Sequence, residues 1–279
     1  MNRTFFLCCL LVSILVSSAA CNDQQQQTVT NEQQAEPQLK EENVTYSDGD
    51  VTLNGYIVYD GSVQGKRPAV LVVHEWWGQT EYPRKRARDL AALGYVAMAV
   101  DIYGNGKTAD NPTDAQALAG PFYADPALAK RRVDAALATI RQSANVDTSK
   151  IAAIGYCFGG GLLINVAKLG ANLDGVVSFH GSLVSDVPVK KELLQSKILV
   201  CHGSSDPFVP EEEAITFQKQ MDSIGADYTF KAYPDAMHAF TNPEATENGK
   251  KFNIPIAYNA AADSASWKDM QAFLARVFE

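Results

Sequence analysis

Gly155-Tyr156-Cys157-Phe158-Gly159 sets a thiol between two glycines, directly after the apolar run Ile151–Ile154 and ahead of Gly160-Gly161. A nucleophile on a sharp strand-to-helix turn has this pattern. The turn strains the nucleophile's backbone and leaves no room for side chains on either flank. It also places the thiol at a helix N-terminus, where the dipole and free N–H groups stabilise a thiolate. A buried structural cysteine in a glycine-rich turn is the plain alternative. A nucleophile needs a base to move its proton and an acid to orient the base, and behind such an elbow they follow in the chain order nucleophile, acid, base. The run Ile198–Cys201 followed by His202-Gly203-Ser204-Ser205-Asp206-Pro207 offers Asp206 as the acid, in a loop stiffened by Pro207 and Pro210. The loop Tyr233-Pro234-Asp235-Ala236-Met237-His238 then offers His238 as the base. Asp206 as an ordinary helix cap is the alternative for that residue.

His74, His180 and His202 also follow apolar runs and are expected at carboxyl ends of strands, where sites of open α/β sheets gather. Each reads as a residue that holds a loop by hydrogen bonding. Cys201 lies within an apolar run and reads as a small core residue. No Cys-x-x-Cys occurs, so no metal site is expected.

The elements that must position these residues alternate. Ala69–Val73 is a continuous apolar run, as in a strand buried on both faces. Residues 80–93 read as a helix ended at Gly94, and Tyr95–Val100 as the next strand. Residues 125–142 carry Leu128, Val133, Leu137 and Ile140 on one helical side. Strands are expected at Ile151–Ile154, Leu173–Phe179, Lys197–Cys201 and Tyr228–Tyr233, and earlier ones near 44–46 and 51–58. Helices are expected near 160–169, 210–224 and 262–278. Repeated βα units predict one α/β domain, a mostly parallel sheet with helices on both faces.

The 279 residues allow one large domain, and 46% hydrophobic with 20% charged residues is ordinary for a soluble one. The net charge of −8 and the lack of any basic run argue against nucleic acid as a partner. Arg3, the apolar stretch Phe5–Val16 and Ser17-Ser18-Ala19-Ala20-Cys21 predict an export signal over residues 1–20. Cleavage there resembles a bacterial lipoprotein signal with Cys21 as the lipidated residue, although Ser18 stands where Leu is more usual. The alternative is soluble secretion. Residues 21–42 are rich in Gln, Glu and Asn and predict a flexible tether, with the folded domain at 43–279. The expected location is a bacterial envelope, periplasm or outer membrane, touching membrane only through the anchor.

His74-Glu75-Trp76-Trp77-Gly78, Gly155-Tyr156-Cys157-Phe158-Gly159-Gly160, Gly203-Ser204-Ser205-Asp206-Pro207-Phe208-Val209-Pro210 and Met237-His238-Ala239-Phe240 together resemble the dienelactone hydrolase family of the α/β-hydrolase superfamily. The resemblance runs from about Asn43 to Phe278 and implies a single α/β-hydrolase domain. It also implies that Glu75 lies near the thiol, where substrate binding helps switch the cysteine to its thiolate. A carboxylate beside a thiol holds it protonated and less prone to oxidation. The backbone N–H groups of Trp76 and Phe158 match the family's oxyanion donors. Trp77 and Tyr123, with Trp76 and Phe158, are expected to line an apolar pocket. The family's two substrate-binding arginines are missing: the matching stretches read Tyr103-Gly104-Asn105-Gly106-Lys107 and His238-Ala239-Phe240-Thr241-Asn242. Asn does not replace a bidentate Arg, so dienelactone itself is an unexpected substrate; Lys107 lies near one of the two sites in sequence. Residues 242–263 are expected to be an extended loop.

The expected activity is hydrolysis of a small-molecule ester, lactone or thioester through an acyl-cysteine, with no cofactor. A cysteine peptidase or acyltransferase on the same fold is the first alternative, and a non-catalytic anchored binding protein the second.

Overall fold

The computed structural model describes residues 36–279, so the export signal and Cys21 lie outside the described residues. The apolar runs become the middle of one eight-stranded sheet. The strands are β1 (Leu39–Asp48), β2 (Val51–Asp60), β3 (Arg67–Val73), β4 (Val96–Val100), β5 (Val146–Tyr156), β6 (Gly175–Phe179), β7 (Lys197–Gly203) and β8 (Tyr228–Tyr233). Their order is β1-β2-β4-β3-β5-β6-β7-β8. β1 and β2 form an antiparallel hairpin, β2 meets β4 antiparallel, and all later neighbours are parallel.

The helices among the described residues are α1 (Glu81–Ala92), α2 (Pro112–Ala124), α3 (Pro126–Ile140), α4 (Phe158–Lys168), α5 (Glu211–Ile224), α6 (Ala245–Phe252) and α7 (Ala260–Phe278). Strand residues alternate between two cores, as the period of two requires. Ala69, Leu71 and Val73 pack with α2, α3, α4 and α5, whereas Val70 and Val72 pack with α1 and α7. Helices thus cover both faces of the sheet.

Three features depart from expectation. The strand β1 begins at Leu39, inside the segment assigned to the tether, so the folded unit starts earlier than residue 43. Lys40, Glu41 and Glu42 are exposed on this edge strand, and their backbones pair with Tyr59, Val58 and Ile57. An edge strand held by backbone pairing tolerates a polar composition that argues against folding elsewhere. Helix α2 is not among the expected elements, and it carries Gly120-Pro121 near its end, a pair uncommon inside helices. Its start is well specified, with Pro112 at the first turn and Asn111 accepting the Asp114 N–H at 3.0 Å. Finally, the stretch after His238 is not simply a loop: it contains α6, and Ile256 bridges back to His238 in parallel.

Candidate active site

The nucleophile elbow is built by exclusion. Cys157 joins β5 to α4 with φ +52°, a strained conformation for a residue with a side chain. A Cβ on Gly155 would lie 2.3 Å from the Gly159 carbonyl oxygen, and one on Gly159 would lie 2.6 Å from the Val73 carbonyl oxygen. Only glycine allows the helix start to approach β5 and β3 this closely.

Two loops deliver the partners. The ends of β7 and β8 meet where a Cβ on Gly203 would fall 2.4 Å from the Ala236 carbonyl oxygen. This contact brings Asp206 beside His238. The Asp206 carboxylate accepts the Phe208 N–H at 2.9 Å and pairs with His238 Nδ1 at 2.8 Å. His238 Nε2 lies 3.0 Å from Cys157 Sγ. Burial alone would depress the His238 pKa. The adjoining Cys157 sulfur and the Asp206 carboxylate outweigh it and hold the imidazole well above its ordinary range.

Beneath the elbow lies a second, buried set of contacts that sequence reading missed. The Cys157 N–H points at both the Phe179 carbonyl oxygen, 3.0 Å away, and His180 Nδ1, 3.1 Å away. An accepting Nδ1 fixes His180 as the Nε2–H tautomer, which donates to Thr241 Oγ1 at 2.8 Å. Burial, reinforced by the charge of His238, keeps His180 well below its ordinary pKa and therefore neutral. Tyr82 donates its hydroxyl to Thr241 Oγ1 at 2.7 Å, and Arg86 donates to the Thr241 carbonyl oxygen at 2.8 Å. Arg86 is itself paired with Asp263 of α7 at 2.5 Å. His180 thus holds a loop, as expected, and that loop is the nucleophile's own support. His74 likewise binds the Glu75 carbonyl oxygen at 2.5 Å, and burial lowers its pKa to about 4. His202 differs: it is buried, and its Nδ1 has no partner among the described residues.

Glu75 lines the same cavity as Cys157 and is only 4% exposed. Burial pushes its carboxyl up to about 7, partly offset by the Asn242 amide, which donates to Oε2 at 2.6 Å. Asn242 stands four residues past His238, where the resemblance implies an arginine. Its binding to Glu75 had no signal in local sequence.

Trp76 and Phe158, whose N–H groups are the expected anion donors, both line the Cys157 cavity. Phe158 is the first residue of α4, so its N–H has no intrahelical acceptor. Trp76 is held by the Tyr103 hydroxyl, which donates to its carbonyl oxygen at 2.8 Å. The cavity, about 210 Å³, is walled by Trp77, Tyr123, Phe208, Ile254 and Ile256. The α6 segment thereby supplies one wall, with Phe252 against Trp77 at 5.8 Å between ring centres. Lys107 is exposed and is not among the lining residues, so it does not replace the missing arginines there. Cys157 and Cys201 are both free, and burial raises the Cys201 thiol to about 12, consistent with an inert core residue.

The family model described as "Dienelactone hydrolase family" matches residues 53–278. The chain belongs to the dienelactone hydrolase family. It is accordingly a hydrolase of the α/β-hydrolase fold. A solved dienelactone hydrolase-like promiscuous phosphotriesterase from metagenomic libraries is 33% identical with a TM-score of 0.82, over 86% of this chain and 99% of that one. Protein usf of Aquifex pyrophilus is 31% identical over 71% of this chain and 86% of its own length. A relative in Aquifex aeolicus named "Putative carboxymethylenebutenolidase" is 30% identical with the same coverage.

Proposed function

We propose that the protein hydrolyses a carboxylic ester, lactone or thioester with Cys157 as nucleophile, His238 as acid and base, and Asp206 as the group that orients His238. The observation that carries this reading is the continuous Asp206–His238–Cys157 relay, with contacts of 2.8 and 3.0 Å. The Cys157 thiolate attacks the acyl carbon, forming an S–C bond while the carbonyl electron pair moves to oxygen. The N–H groups of Trp76 and Phe158 receive that oxyanion. Its collapse breaks the bond to the leaving group, which takes the proton from His238 Nε2. Water then attacks the acyl-cysteine, giving a proton to His238, and the acid leaves as the thiolate re-forms. Asp206 stabilises the imidazolium and holds its tautomer.

Glu75 enters as a modulator. A buried carboxyl with a pKa of about 7 changes charge near neutrality, so its ionisation sets the field around the thiol. Replacing Cys157 with Ala should abolish turnover of an aryl ester in a chain that still folds; retained turnover would remove Cys157 from its role. We also infer from residues 1–21 that the domain is exported and lipid-anchored at Cys21. Labelling with a fatty acid in a bacterial host should mark the wild type and not the Cys21→Ala variant. Equal labelling of both would refute the anchor.

A further inference from the structure

A second cavity, about 270 Å³, adjoins the one that contains Cys157, and the two share Tyr123, Phe158 and Ser182 as a common wall. It lies where the junction of α2 and α3 faces the exposed side of α4 and the loop after β6. Its floor is apolar, made by Phe122, Pro126 and Leu162. Its rim is polar, made by Asn165, Ser185 and Asp186. Gly161 keeps the rim close to the helix, since a Cβ there would lie 3.1 Å from the Ser182 carbonyl oxygen.

The chemistry of the rim is specific. Ser185 donates to Asn165 Oδ1 at 2.5 Å, which leaves the Asn165 amide N–H groups without a protein acceptor among the described residues. The Asp186 carboxylate is exposed and makes no protein hydrogen bond among those residues. Between the cavities stands Tyr123, 53% exposed, with its ring edge-to-face on Phe158 at 5.5 Å. No lysine, arginine or histidine lines the second cavity, so an anionic substrate end there would meet no counter-charge and the Asp186 carboxylate. The lining thus combines an aromatic ring, an amide donor and a carboxylate acceptor, the groups that can take the C–H face and the hydroxyls of a polyol. The Cys157 cavity, with Trp77, Ile254 and Ile256, instead matches a small apolar acyl group.

We propose that the second cavity is the subsite for the alcohol half of the ester, and that this half is an uncharged hydroxylated group, a sugar or polyol. This rests on the Cys157 reading above. The scissile bond stays at Cys157, and the alcohol departs through the second cavity after taking the His238 proton.

The test compares the purified chain on 6-O-butyrylglucose and ethyl butyrate. The sugar ester should have a kcat/KM at least about tenfold higher, and Asp186→Ala should cut that ratio about tenfold, the loss of one charge-assisted hydrogen bond. The variant arm separates recognition from leaving-group chemistry, because it alters the site and leaves both esters the same. Asp186 is exposed, so melting temperatures should match and certify folding. A ratio near one in the wild type, or a ratio that Asp186→Ala leaves unmoved, overturns the subsite. Cys157→Ala is run alongside: if it turns over ethyl butyrate, the nucleophile reading fails. If it is inactive while the ratio stays flat, only the subsite fails.

Discussion

Glu75→Gln keeps the side chain's shape and an oxygen for the Asn242 amide, and it removes a titration. The wild-type carboxyl is raised from an ordinary 4.5 to about 7, chiefly because burial penalises its charge. Between those values the folded chain holds a proton that the unfolded chain has released. The contribution of Glu75 to stability is therefore complete below pH 4.5 and is lost as pH rises through 7. The gap converts to about 3 kcal/mol in all, of which about 2.5 kcal/mol falls between roughly pH 5 and pH 8. Other titrating groups act alike in both proteins and cancel in the difference. Relative to wild type, Glu75→Gln should therefore gain about 2.5 kcal/mol over that range. For a domain of this size the gain is a relative rise of roughly 5–10 °C in melting temperature. Parallel thermal melts in a pH series measure it. A difference between the two proteins that stays constant with pH would refute the burial argument.

Thr241→Val removes the hydroxyl that satisfies His180 Nε2 and Tyr82 while keeping the volume. With His180 released, kcat should fall about tenfold with KM little changed, and Thr241→Ser should restore it; equal losses in both variants would point to packing alone. Gly159→Ala drives a Cβ into the backbone of β3 and should destabilise the fold by on the order of 3 kcal/mol. A differential scan should register that as a fall of roughly 6–12 °C, and an unchanged midpoint would show that the elbow can relax. Asp206→Asn leaves the geometry but favours the wrong His238 tautomer, so kcat should drop by about 10³–10⁴, as read by stopped-time ester assays; a loss under tenfold would demote Asp206.

The succession of strands and helices along the chain, the elbow and its two partners were legible because each depends on short stretches of sequence. Ile151–Ile154 before Gly155, and Asp206 and His238 after successive strands, declare their positions without long-range information. The start of β1 was not legible, because Lys40, Glu41 and Glu42 gain order from backbone pairing with β2 rather than from burial. Helix α6 was hidden by its brevity and by a fold-back in which a Cβ on Gly249 would lie 2.5 Å from the Ile256 carbonyl oxygen. The Thr241–His180 and Asn242–Glu75 contacts join residues 61 and 167 positions apart, and nothing local marks them. The positions of the missing arginines were readable from the sequence. What Asn242 does in place of one needed coordinates.

The central claim is that Cys157 carries the acyl group during turnover. It is tested most directly by mixing the full chain with an excess of p-nitrophenyl butyrate, quenching in acid within the first turnovers, and mapping the digested peptides by mass. One butyryl group should appear on the peptide containing Cys157, should be released by hydroxylamine, and should be absent from Cys157→Ala. Steady ester hydrolysis with that peptide unmodified, or with the acyl group on another residue, would contradict the account.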